Sequence, residues 1–411
     1  MTGKTMRRWT GMLLALVLLA AACSDDDGED APAPPEDTEV ASGDPTTTTV
    51  VDDGLPDDVI VFNGQGNNLD AYSTGETVET QRVISTVADD PDGLDINAQI
   101  CFFPDGSGRF IAGEDTGQPT PPAGWGIFQL SGTGVGDLEA EEIGKLTPTY
   151  QAGADPENYG CGVLSDGRML TTDLGGQAPG DPGNGQFIVW FGEPEGTDQT
   201  YCKVDVELAT AQSLLVGPDD EVYVVSARPP TSGVWRYTDL PTSADAAGGC
   251  GSTDVTGAPM ADAVTREQVL APGQNDILSP AGIAFSPNGG FYLSSVITGV
   301  INEYDADWQF VRTILAPPEG EAIGADASLS TGTPLGIGVT PDGQVWYADI
   351  GIVNDPENGF GPGEGTGHVR RILFVDGEPQ PPETVASDLA FPDGIGIYVP
   401  GGAAGGGANP A

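Results

Sequence analysis

From residue 98 to residue 401 the chain repeats one arrangement: a short apolar run, a turn rich in Pro, Asp and Gly, and a second apolar run. Residues 98–103 lead through Pro104-Asp105-Gly106 to 109–112, and residues 161–164 through Ser165-Asp166-Gly167 to 169–173. Residues 214–216 lead through Gly217-Pro218-Asp219-Asp220 to 222–225. Residues 281–285 lead through Ser286-Pro287-Asn288-Gly289 to 291–293, and 335–339 through Thr340-Pro341-Asp342-Gly343 to 345–349. The runs are short, bounded by turn formers and rich in β-branched and aromatic residues, which predicts strands. Each turn has a physical logic: Pro presets φ, Asp favours the bridge region and Gly accepts positive φ, so each pair of runs closes as a tight hairpin.

The turn at Asp105 recurs at 166, 219, 288 and 342, at intervals of 61, 53, 69 and 54 residues. Such intervals fit four strands with variable loops, and periods of this size imply propellers or arrays. The sixth copy is divided between the two ends. Residues 393–399 match the first run and Pro400-Gly401 its turn, while 58–62, 68–72 and 81–84 read as the second, third and fourth strands. The expected fold is all-β: a six-bladed β-propeller of four-stranded antiparallel blades over residues 57–402. Its last blade is closed by N- and C-terminal strands, which removes the free edge of an open array.

The wording of the repeats adds a resemblance. Ser279-Pro280-Ala281-Gly282-Ile283-Ala284-Phe285-Ser286-Pro287-Asn288-Gly289 and Thr333-Pro334-Leu335-Gly336-Ile337-Gly338-Val339-Thr340-Pro341-Asp342-Gly343 are similar to repeats of the senescence-marker protein/gluconolactonase group and of NHL propellers. At the level of architecture the resemblance covers residues 57–402; it speaks for fold more than for function. It implies a divalent metal at the channel mouth, held by Glu, Asn and Asp at the starts of inner strands. Here Ala281 and Leu335 replace two such ligands, and Pro392-Asp393-Gly394 keeps the acid. Asn97, Glu157 and Asn158 offer oxygens at the first two blades, a donor type that suits Ca²⁺. Each of these residues also reads as an Asx turn or a strand cap. Catalysis on this set would be lactonase- or esterase-type hydrolysis by metal-activated water. With one histidine, His368, a His dyad is excluded, and there is no GxSxG elbow for a serine nucleophile.

Three connections on the expected mouth face are long: 114–124, 173–185 and 352–367, against 227–233 and 296–299 in blades 3 and 4. Long loops on a rigid scaffold carry function. Asp115, Asp173, Asp181, Asn184, Asp349, Asn354, Asp355, Glu357 and His368 are therefore binding-loop candidates forming an acidic rim. Asp173 and Asp349 end second strands and read equally as holders of loop backbone. Arg370 and Arg371 alternate to opposite faces of their strand and read as local salt-bridge partners.

The ends set the compartment. Lys4, Arg7 and Arg8 precede an apolar stretch, Met12 to Ala22, of signal-peptide length. It runs into Leu19-Ala20-Ala21-Ala22-Cys23-Ser24, which resembles the lipobox of bacterial lipoproteins, with Ala20 where Leu is usual. The resemblance implies removal of residues 1–22 and lipidation of Cys23, anchoring the protein to the outer face of the cell membrane. Residues 23–56 are expected to be a disordered acidic tether: Asp25-Asp26-Asp27, Glu29-Asp30, Pro34-Pro35 and Thr46 to Thr49 supply almost no apolar surface to bury. Residues 403–411, rich in Gly and Ala, are expected to be a flexible tail.

Removing the signal's three cations leaves 11 Lys and Arg against 62 Asp and Glu, a net of −51. Nucleic acid needs positive charge and is excluded as a partner, and contact with the membrane is left to the lipid anchor alone. Four cysteines remain beyond Cys23, and an even number in an exported chain predicts two disulfides. Of the three pairings, Cys101–Cys161 with Cys202–Cys250 is preferred. The expected function is a monomeric binding module for a small molecule, a glycan or an envelope protein, with the metal-dependent hydrolase as the alternative.

Overall fold

The glycine of the Pro/Asp/Gly turns sits at positive φ: 72° at Gly106, 87° at Gly167, 80° at Gly289 and 88° at Gly343. In the third repeat Asp220 takes that place at 61°. An L side chain is disfavoured there, which is why the turn is written with Gly. A computed structural model describes residues 54–66, 68–85, 95–115, 124–150, 158–175, 185–356 and 359–402. In it the repeats form six antiparallel sheets of four blade strands, each running outward from an inner strand: the six-bladed propeller expected from the sequence.

Blade 1 comprises Asp95–Phe102, Arg109–Asp115, Gly124–Ser131 and Glu139–Leu146. Blade 2 comprises Asn158–Val163, Met169–Asp173, Gly185–Phe191 and Thr200–Leu208, and blade 3 Leu214–Val216, Val222–Ser226, Gly233–Thr238 and Thr265–Leu270. Blade 4 comprises Pro280–Phe285, Phe291–Ser295, Val300–Tyr304 and Phe310–Leu315, and blade 5 Pro334–Val339, Val345–Asp349, Gly367–Ile372 and Glu383–Leu389. Blade 6 takes its inner strand, Pro392–Tyr398, from one end of the chain. Ile60–Gln65, Asn68–Ser73 and Thr80–Ser85 come from the other.

The closing register runs from Ile60 opposite Tyr398 to Gln65 opposite Pro392. The Asn63 side-chain amide donates to the Gly394 carbonyl (2.7 Å), and the Tyr398 hydroxyl to the Pro56 carbonyl (3.1 Å). Gly394 has no alternative: a Cβ there would stand 1.4 Å from the Ala98 carbonyl oxygen of blade 1.

Burial explains why the ring stays shut. Six apolar clusters each join one blade to the next, around the whole circle. At the closure seam Phe62, Phe102, Phe110, Phe128 and Tyr398 form a ladder with ring centroids 5.2–6.2 Å apart. Aromatic pairs at such distances add about 0.5–1.5 kcal/mol each beyond area burial. Hydroxyls supply a second latch. In blade 2 the Gly160 N–H donates to Thr172 Oγ1 (2.7 Å), which donates onward to the Gln212 carbonyl beside blade 3 (2.6 Å). Ser294 repeats this between Gly282 of blade 4 and Leu335 of blade 5, at 2.7 and 3.1 Å.

Both disulfides form as expected. Cys101–Cys161 joins the inner strands of blades 1 and 2, with Cα atoms 5.8 Å apart. Cys202–Cys250 ties the outer strand of blade 2 to the long connection after residue 238, with Cα atoms 6.1 Å apart. Among the described residues several elements go beyond the sequence reading, including a short pair of Phe374–Val375 with Glu378–Pro379 and a 3-10 turn at Ala246–Gly248. A small hairpin, Ser252–Thr253 with Pro259–Met260, adds to the outer edge of blade 2 through Lys203 opposite Met260. Within the long blade-5 connection, Ile352–Asp355 pairs with Gly359–Pro362 rather than remaining a loop. Under the first hairpin Lys203 and Asp254 form a buried ion pair at 2.6 Å.

Candidate functional site at the mouth of the ring

In a propeller the inner strands line the axis, and their starts share one face, the mouth, with the second-to-third-strand loops. The described candidate donors, Asn158 and Asp393, fall there, and their contacts differ from those of a metal cage. Asp393 is buried, and its Oδ1 accepts the Ala98 N–H at 2.7 Å. Ala98 sits at φ 69°, so the carboxylate holds a strained backbone position on the neighbouring blade. Asn158 is also buried. Its amide donates to the Gly124 carbonyl, and its Oδ1 accepts from the Tyr150 hydroxyl at 3.1 Å. The side chains of Asn97 and Asp115 lie outside the described residues, as do Cys23, Glu157, Asp181, Asn184 and Glu357. Among the described residues no group of three His, Cys, Asp or Glu stands so as to hold a metal. The described donors therefore do not by themselves fit a divalent cation: Asn158 is spent on the chain around it, Asp393 supports a seam, and Ala281 and Leu335 bring no donor.

An apolar plate fills the mouth instead. Tyr159 and Leu174 of blade 2, Ala281 and Val296 of blade 4, and Leu335, Ile350 and Ile352 of blade 5 form one buried cluster. The half-buried Ile323, Phe360 and Phe391 pack against it. Unlike the six seam clusters, this one spans non-adjacent blades and so crosses the axis. A second crossing is polar. Gln99 of blade 1 donates to the Leu214 carbonyl of blade 3 (2.9 Å) and accepts the Leu214 N–H (3.1 Å). Both partners are buried, so each bond spares a main-chain group the cost of going unsatisfied.

Beside the plate, Asp349 is the hub of blade 5. Its Oδ1 accepts the Thr333 N–H (2.8 Å), the Thr333 hydroxyl (3.2 Å) and the Gly351 N–H (3.0 Å), and its Oδ2 accepts Arg370 Nε (2.9 Å). His368 Nδ1 lies 3.2 Å from Oδ2. Burial pushes the Asp349 carboxyl upward, but His368, the Thr333 N–H, Arg370 and the Gly351 N–H outweigh it and hold the group below its ordinary value. A carboxyl depressed by folding contributes stability above its unfolded pKa of about 3.9 and loses it as pH falls toward the folded value. The expected result is an acid limb of the stability curve that is shallower in Asp349→Asn over that interval. Denaturant midpoints from pH 5 to pH 2.5 check it; parallel limbs for the two proteins would refute it.

Asp173 plays a lesser version of the same part, its Oδ1 accepting the Gly175 N–H at 2.8 Å. Asn354 and Asp355 lie in the added hairpin, where the Asn354 N–H donates to the Gly324 carbonyl (2.7 Å). Arg370 and Arg371 turn to opposite partners, Asp349 and Glu383.

Among the surface grooves that the described residues form are two of similar size. One, of about 510 Å³, lies on the hairpin face between blades 1 and 2, where Arg109 and Arg168 are each paired with an Asp of their own turn. The other, of about 560 Å³, lies on the mouth face between blades 4 and 5 and is lined by Ile297, Val300, Ile323, Leu329 and Phe360 among others. Sequence reading missed both the plate and this groove. The signal was present in Ala281 and Leu335, apolar residues where the resemblance implies ligands, and in the paired Ile350 and Ile352 after Asp349.

No family model matches the chain, and no curated protein matches it. Solved structures resemble it in shape. A luciferin-regenerating enzyme is 11% identical, with TM-score 0.48 over 81% of this chain and 91% of that one. Virginiamycin B lyase from Staphylococcus aureus is 10% identical, with TM-score 0.41 over 81% and 85%. The WD40 β-propeller domain of Doa1 is 12% identical, with TM-score 0.42 over 81% and 83%.

Proposed function

We propose that this protein is a ligand- or protein-binding module of the cell envelope: an exported propeller, lipidated at Cys23 and held off the membrane by the acidic segment 23–56. The observation that carries the reading is the apolar plate, which occupies the place a gluconolactonase-like enzyme would give to its metal. Asn158 and Asp393 add to it, since both serve main-chain groups. Kinship with the gluconolactonase-like and NHL propellers rests on the repeat wording and concerns the scaffold.

Two disulfides suit an oxidising compartment, and no described helix is long and apolar enough to cross a membrane. The chain enters the propeller on the hairpin face, where the Gly132 N–H donates to the Gly54 carbonyl and Tyr398 holds Pro56.

Calorimetric titration with Ca²⁺, paired with a lactone and aryl-ester hydrolysis screen, tests the reading. Binding without catalysis predicts no turnover above the blank with or without the ion. Saturable Ca²⁺ binding with turnover that disappears in Asp393→Ala would replace the binding module with a metal-dependent hydrolase. In the same preparations, Cys23→Ser should move the protein from the membrane fraction to the soluble one; equal membrane retention of both forms would remove the anchor from the proposal.

A further inference from the structure

The groove between blades 4 and 5 combines an apolar floor with an uncompensated charge. Ile297, Val300, Pro317, Ile323, Leu329 and Phe360 form its apolar lining. Ile323 and Phe360 also pack on the plate, so the groove is the open continuation of the apolar mouth. Three carboxylates line it, Asp276, Glu319 and Glu321, and no Lys, Arg or His does. Glu321 is fixed by Ser330, whose N–H and hydroxyl each donate to it at 2.8 Å. Asp276 and Glu319 are exposed, and their carboxylates make no hydrogen bond or ion pair among the described residues.

The charge decides the class of occupant. An anionic or neutral apolar ligand would gain the floor but bring nothing to the carboxylates. A cation with an apolar body gains both. A volume of about 560 Å³ is in the range of small-molecule sites. The field points the same way, since a chain with formal charge −48 concentrates cations at its surface.

We propose that this groove binds a small amphiphilic organic cation, an apolar body carrying an ammonium or guanidinium group. The apolar part would lie along Ile297, Ile323 and Phe360, with the charge toward Asp276 and Glu319. The proposal rests on the binding-module reading of the mouth face and narrows it to one chemical class.

The test is calorimetric titration of the whole protein with 4-phenylbutylamine, 4-phenylbutyrate and methylammonium. These separate the two ends of the ligand: same body with opposite charge, and charge without body. The amine is expected to bind with Kd of about 1 mM or tighter, and the other two at least ten-fold more weakly. The double variant Asp276→Asn/Glu319→Gln should weaken the amine about ten-fold, and 0.5 M NaCl several-fold, through screening of exposed charges. Phe360→Ala should weaken it without changing the salt dependence. All three positions are exposed or half-buried, so an unchanged thermal midpoint shows that the variants fold.

Equal binding of amine and carboxylate, absence of amine binding at 10 mM, or indifference to the double variant would each overturn the proposal. So would binding of a Lys- and Leu-containing peptide when the amine does not bind, which would assign the groove to a protein partner. Ca²⁺-dependent turnover in the same preparation removes the wider binding-module reading. Silence of the amine without turnover removes only the cation.

Discussion

Replacing Lys203 by Met is expected to cost the protein about 3–5 kcal/mol, the range for breaking one side of a buried ion pair. The pair has no water to fall back on: the side chains of Lys203 and Asp254 are 0% and 2% exposed, and Nζ lies 2.6 Å from Oδ2. The other oxygen of Asp254 accepts the Thr256 N–H (2.8 Å), the Thr256 hydroxyl (2.6 Å) and the Ala258 N–H (3.0 Å). Burial works to raise the Asp254 carboxyl, yet the Lys203 contact and the Thr256 donors prevail and keep it below its ordinary value. Removing Lys203 therefore strands an ionised group in the interior. Adding Asp254→Asn removes the charge while keeping an acceptor for the three donors, so the double variant should recover more than half of the loss. Urea unfolding of the two variants checks this. A single variant costing under about 1 kcal/mol, or a double variant no better than the single, would show that the pair does not hold the outer edge of blade 2.

Removing the Cys101–Cys161 disulfide should have a comparable effect. The two residues are 60 apart in sequence, and loop-closure entropy for a ring of that size is worth about 4 kcal/mol at 25 °C. Cys202–Cys250 closes 48 residues, and its entropic value differs by only a few tenths of a kcal/mol. The two bonds nevertheless stabilise different things. Cys101 and Cys161 link the inner strands of two blades, so Cys101→Ala/Cys161→Ala should lower the midpoint of the whole transition. Cys202 and Cys250 secure the connection that carries Asp254. Their loss should appear first as faster amide exchange in residues 239–264, ahead of global unfolding. Denaturation and exchange on the two Ala pairs separate these outcomes. Identical exchange patterns, or an unchanged midpoint for the first pair, would contradict the assignment.

The blade strands were legible because each carries its own signal. Residues 169–173 and 345–349 are read from short apolar runs and turn chemistry alone, and both are found as strands with those limits. The split blade was legible for another reason: residues 393–399 lacked three partners at one end and residues 58–84 lacked one at the other. What escaped had no local signature. The plate draws two or three residues from each of three blades, and nothing near Tyr159 in sequence announces Leu335. Gln99 finds Leu214 115 residues away, and Lys203 finds Asp254 across 51. An acid at the start of an inner strand reads the same whether it binds a cation or, like Asp393, receives a backbone N–H from the next blade.

The closing register has a consequence for how the molecule is made. Asn63 cannot meet Gly394 until 331 further residues have been synthesised. At about 5–20 residues per second that is a delay on the order of 15–65 s. Until that strand docks, blade 6 lacks its inner strand, and its border presents unsatisfied amides and the uncovered half of the aromatic ladder to passing chains. The most hazardous moment in the life of this molecule is therefore its birth, and the seven residues from Pro392 to Tyr398 end it.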